Sequence, residues 1–132
     1  MVILIKLPVT QVYEIIKANK SSWIDGLYPE NIPNIVDKSG SKTLVLITSV
    51  SEPLSGFKND TFSEFSASIQ VQIFFSKTVA INVLDAQLEL MNLLDDNGWI
   101  VATRYPNVVD PGTEQVTATF SVFKKIKIKR GN

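Results

Sequence analysis

The side chains that most enzymes and metal sites rely on are missing or scattered in this chain. It has 132 residues with no cysteine and no histidine. A thiolate nucleophile and an imidazole base are therefore excluded, and with them the Ser-His-Asp arrangement. A structural zinc site of the Cys/His kind is excluded as well. Serines are common, but no Gly-x-Ser-x-Gly elbow surrounds any of them. The six glycines are scattered singly and form no phosphate-cradling loop. Asp95 and Asp96 are adjacent. On a helix they point about 100° apart, so they do not converge as an acid/base pair. Glu52, Asp60 and Glu64 share one long connection and could meet a cation, but they lack the spacing of an EF-hand loop. Arg104, Tyr105 and Glu114 are the best polar candidates for lining a ligand pocket, and nothing in their spacing favours it. The expectation is a protein without catalytic residues, metal or cofactor.

Thirteen basic residues balance thirteen acidic ones, but unevenly. Lys124, Lys125, Lys127, Lys129 and Arg130 lie after Phe123, which leaves eight basic and thirteen acidic residues in 1 to 123, a net of −5. Balanced charge argues against a general nucleic-acid coat. The basic end reads as a solvated strand end whose lysines discourage aggregation, or as a contact for DNA, RNA or an acidic partner. The apolar start, Met1 to Pro8, is too short for a secretory segment. No run approaches the roughly 20 apolar residues that span a bilayer. These features suggest a soluble, intracellular protein.

The elements that would position these groups can be read from period and punctuation. Pro8 or Val9 to Asn19 reads as a helix, with Val9, Val12, Tyr13 and Ile16 on one face. A Pro-punctuated connection, Tyr28 to Pro33, follows the turn at Trp23. Thr43 to Val50 reads as a central strand covered on both faces. Ser51 to Glu64 is a long connection that carries Leu54, Phe57 and Phe62. Those apolar residues either tuck under the loop or anchor a partner. Ser66 to Ser76 is a strand with Ile69, Val71, Ile73 and Phe75 on one side. A second helix has Asn82 as N-cap, Leu84, Leu88, Met91 and Leu94 or Asp95 at helical spacing, and Gly98 as its stop. Trp99 to Tyr105 is a third strand, followed by a turn at Asp110-Pro111-Gly112. Trp23 and Trp99 read as core or interface residues rather than as a base-stacking platform.

Glu114 to Lys129 reads as a fourth strand of sixteen residues, about 53 Å at 3.3 Å each. That exceeds a domain of this size. The strand is expected to bend, to break near Lys124, or to run past its own domain. The projecting part, Lys125 to Arg130, is then a candidate for pairing with a neighbouring chain. The expected fold is α+β: a largely antiparallel four-stranded sheet with two helices packed on it, in the order α-β-β-α-β-β. Residues 1–132 form one domain, with 125–132 a basic C-terminal extension.

This layout resembles a known family. The residues that carry the likeness are a helix leading into Trp23-Ile24, the loop Tyr28-Pro-Glu-Asn-Ile-Pro33 and the strand Leu44-Val-Leu-Ile-Thr48. A long loop, Val71-Gln-Ile-Phe-Phe75, an acidic helix and Gly98-Trp99 complete it. The whole resembles the small tail terminator (tail completion) proteins of long-tailed phages of Gram-positive bacteria. The resemblance implies a homo-oligomeric ring, expected to be a hexamer, on the head-proximal end of the tail tube. Such a ring stops tube growth and offers a docking face to the head–tail connector, and DNA passes through it without sequence-specific binding. It implies a virion tail component assembled in the host cytoplasm, with tail tube protein and connector protein as partners and no membrane. Within that frame Leu54, Phe57 and Phe62 are the candidates for partner contact. Lys125, Lys127, Lys129 and Arg130 are the candidates for subunit contact. The competing readings are another head–tail joining or tail tube subunit, and a small α+β enzyme or ligand-binding domain.

Overall fold

A computed structural model describes residues 7–34, 36, 39–51, 54–55, 64–79, 81–112 and 114–127. The element order is α1 (Pro8–Ala18), β1 (Gly26–Pro29), β2 (Leu44–Ser51), β3 (Leu54–Ser55), β4 (Glu64–Phe74), α2 (Val83–Asp96), β5 (Ile100–Arg104), β6 (Val108–Val109) and β7 (Val116–Lys127). All seven strands join one sheet whose main path is β1-β2-β4-β7-β5. β3 continues the β2 side along β4, and β6 continues the β5 side along β7. The class is α+β, as the element pattern predicts.

The sheet is larger than four strands and it is mixed. β1 runs parallel to β2, with Gly26 opposite Leu44 and Pro29 opposite Ile47. The segment expected to be a plain connection after Trp23 thus adds an edge strand. Two features hold it. The Thr43 carbonyl accepts the amides of Asp25 (2.9 Å) and Gly26 (3.2 Å), and the Asp25 carboxylate accepts the Thr43 amide at 2.7 Å. Gly26 also leaves room for the Tyr28 ring, which a Cβ there would meet at 2.7 Å. Pro29 is tolerated because the strand is at the edge.

α1 begins at Pro8, whose missing N–H is no loss in a first turn. Its buried positions are Pro8, Val9, Val12 and Ile16. α2 begins at Asn82, whose side-chain oxygen accepts the amides of Leu84 (2.9 Å) and Asp85 (3.2 Å). It ends at Asn97 and Gly98, the latter at φ 90°, a conformation cheap only for glycine. α1 packs over β1, β2 and β4; α2 packs over β5 and β7 and against α1. Both helices cover one face of the sheet. That face supplies Val45, Ile47, Ala67, Ile69, Val71, Ile73, Ala118, Phe120 and Val122 to the core.

β4 and β7 form the spine. Eleven consecutive register pairs join them, from Phe74 opposite Thr117 to Glu64 opposite Lys127. β7 does not break at Lys124. That residue sits on the apolar parity, but its long stem reaches the Trp99 ring, with Nζ 5.8 Å from the centroid. Lys125 and Lys127 do not project from the domain: they pair with Ser66 and Glu64 of the chain's own β4.

The second helix turns a different stripe inward from the one its leucines suggest. Ala86, Gln87, Leu90 and Leu94 are buried, whereas Leu84 and Leu88 are 45% and 40% exposed. Gln87 is fully buried because Arg104 of β5 donates its Nε–H to the Gln87 Oε1 at 2.6 Å. β2 is likewise not covered by helices on both faces. Val45 and Ile47 lie in the core, while Leu46 and Thr48 face the other side and are half-buried.

Candidate interaction surface

The other face of the sheet, on which no described helix packs, is polar in its middle. Thr48, Ser66, Ser68, Gln70, Gln72, Thr117, Thr119 and Ser121 share the parity opposite to the core and are half-buried. At one end of this face Leu44, Leu46 and Phe74 floor a groove of about 400 Å³, rimmed by Glu30, Asn31, Asp110 and Gln115. At the diagonal end Ile100 and Phe123 are register partners, followed along β7 by Lys125 and Lys127. Both lysines are exposed.

Among the described residues, several exposed apolar side chains gather at the β5–β6 border. Ile100 is 53% exposed, Val108 62% and Val109 59%, and Tyr105 joins them. β5 ends the strand order, so no described strand pairs with its outer edge. Val109 is the register partner of Val116, which lines a cleft together with Val83 at the start of α2. The exposed valines and the first turn of α2, with its outward Leu84, thus occupy the same corner of the domain. Isolated exposed apolar residues are ordinary; several of them gathered on an edge that no described strand pairs have the character of a contact surface.

On the far side, Trp23 and Phe75 stack at 6.0 Å between centroids. The Trp23 indole donates to one Glu89 carboxylate oxygen at 2.6 Å, and the Ser21 hydroxyl donates to the other at 2.8 Å. This ties the α1–β1 connection to α2. Trp99 is buried against the core.

The sequence-predicted groups fall as follows. Leu54 lies in β3 opposite Phe65. Phe57, Phe62, Lys129 and Arg130 lie outside the described residues, as do Glu52 and Asp60. Arg104, Tyr105 and Glu114 do not converge. Arg104 turns to Gln87 beneath α2, Tyr105 is exposed at the end of β5, and Glu114 sits at φ 62° in the turn before β7. Asp95 and Asp96 are exposed in the last turn of α2, which carries no basic residue. Among the described residues no group of three or more carboxylates could hold a metal ion, and no helix is long and apolar enough to cross a membrane. Sequence reasoning missed Ile100, Val108 and Val109 as surface residues. Their signal was Val108-Val109, an apolar pair confined between Pro106 and Pro111.

Residues 6–127 match the family described as "Protein of unknown function (DUF806)", and the chain belongs to that family. No curated protein matches it. Among solved structures, the chain is similar to the sheath/tube terminator of an extracellular contractile injection system, PVC, in its extended state. The TM-score is 0.46 and the identity 13%, over 98% of this chain. The chain spans 60% of the length of that protein.

Proposed function

We propose that this member of the DUF806 family is a structural tail protein that caps the head-proximal end of a phage tail tube as a ring. The ring stops tube growth and offers the docking face for the head connector. The observation that carries the assembly part of this reading is the β5–β6 border. Ile100, Val108 and Val109 are each more than half exposed beside a strand edge that no described strand pairs. A chain that leaves such a border uncovered is suited to being covered by other chains. The tail role rests on the layout from α1 through Trp23 to Gly98-Trp99, which resembles phage tail terminators. In this reading Leu54, Phe57 and Phe62 meet the tube or connector, and the basic run Lys125, Lys127, Lys129 and Arg130 meets a neighbouring subunit.

The test is a tube-growth assay followed by negative-stain imaging. Added protein should shorten tail tubes and appear as a ring at one end. The Phe57→Ser/Phe62→Ser variant should stay folded and lose capping. Tubes that lengthen regardless of the wild-type protein would refute the cap. Indefinite polymerisation of the purified protein would make it a tube subunit instead.

A further inference from the structure

The domain carries two patches of similar length and opposite charge on opposite sides. The first is on α2. At 100° per residue, three directions around this helix lie about 120° apart. One is the buried stripe of Ala86, Gln87, Leu90 and Leu94. The second holds Glu89, which faces the α1 side through Ser21 and Trp23. The third holds Leu84 and Leu88, continued by Asp95, and it faces the β5 side. This flank reads as two exposed leucines followed, about 10 Å further along, by the exposed carboxylate of Asp95, while Asp96 points about 100° away toward the Glu89 side. Lys124 of the same chain also reaches this end of α2, with its ammonium over Trp99. The second patch is on the sheet face that no described helix covers. It reads as Ile100 and Phe123 side by side, followed along β7 by Lys125 and Lys127. From Phe123 to Lys127 is about 13 Å of strand. Lys125 faces Ser66, and Lys127 faces Glu64 across the pair.

We infer that the α2 flank of one copy (Leu84, Leu88, Asp95) receives the β7 corner of a second copy (Ile100, Phe123, Lys125, Lys127). The proposal rests on the reading that the chain assembles with itself, and it names the surfaces. Each patch pairs an apolar half with a charged half over a similar length, and the charges are opposite. Joining two such patches buries the apolar halves together and sets a carboxylate against ammonium groups. The patches differ and lie on opposite faces, so the contact is head-to-tail. It leaves both patches free at the ends of a pair, and closes only when the rotation returns to the first copy.

The test is sedimentation of the full chain with charge-reversed variants. Asp95→Lys and Lys125→Glu/Lys127→Glu should each associate at least tenfold more weakly than wild type. An equimolar mixture of the two should recover association, because every contact in it can again join unlike charges. Leu84→Ser/Leu88→Ser should weaken association as well, without charge change. Circular dichroism and urea unfolding of each variant confirm that it is folded. The proposal is overturned if wild type remains a monomer at every concentration reached. It is also overturned if the reversed variants associate like wild type, or if their mixture stays as weak as its parts. A wild type that shows this contact but fails to cap tubes would sink the tail role alone. Variants that cap tubes normally would sink the contact alone.

Discussion

Replacing leucines of α2 one at a time by alanine tests which side of that helix belongs to the core. Leu90 and Leu94 are 1% and 0% exposed, so each deletion removes three carbons from a closed site. Such changes cost about 2–5 kcal/mol, because a cavity is added to the lost transfer energy. Leu84 and Leu88 are 45% and 40% exposed. Full burial of a leucine is worth about 1.5–3 kcal/mol, and these two bury little more than half of theirs. Their sites open to solvent, so no cavity remains. Alanine is also the better helix former by a few tenths of a kcal/mol. The expected cost is about 0.5–1 kcal/mol each. In an unfolding constant this is about a two- to fivefold change, against about 30-fold or more for Leu90→Ala. Urea titration followed by tryptophan emission suits the measurement, since Trp99 is buried. It should be run at low protein concentration and high salt, so that association does not add to stability. Raising the concentration should then widen the gap between wild type and the Leu84 or Leu88 variants. If Leu84→Ala costs as much as Leu90→Ala, the outward flank is core, and the docking argument built on it fails.

Other expectations follow from single contacts. Glu89→Gln weakens the acceptor for the Trp23 indole and the Ser21 hydroxyl, bonds to a charged group worth about 1.5–3 kcal/mol. A double-mutant cycle with Trp23→Phe should show coupling, and additive losses would mean that the indole bond contributes nothing. Gly98→Ala forces a Cβ into φ 90° and should cost about 1–2 kcal/mol in thermal unfolding, with no change in association. A stabilised protein would show that the α2 stop relaxes.

The legible parts of the fold were those with local chemistry. Pro8, Asn82 and Gly98 mark helix ends through their own backbone requirements, and the structure places the ends there. The alternation in β4 and β7 marks the core face because every second side chain of a strand returns to the same side. What failed was non-local. β1 is four residues bounded by Gly26 and Pro29, and its reason to be a strand is β2, fifteen or more residues away. α2 carries two plausible apolar stripes, and spacing alone cannot choose between them. The choice fell on the stripe in which Gln87 is satisfied: Arg104 of β5 donates to its Oε1 and the Thr119 carbonyl of β7 accepts from its Nε2, so an amide can join the core. The same choice left Leu84 and Leu88 outside. Lys124 looked like a strand break because its charge was counted and its stem was not. The acidic helix and the basic strand were visible as composition. Their facing opposite sides of the sheet required the register of β7 on β4 and β5.

The position of β7 has a consequence for synthesis. β4 and β5 are not neighbours; each finds its partner in residues 116–127. While a ribosome adds the 23 residues between Arg104 and Lys127, at about 5–20 per second, both strands wait with bare edges for roughly one to five seconds. During that interval the nascent chain is at its most prone to stick to other chains, and a holding chaperone would have its greatest effect there.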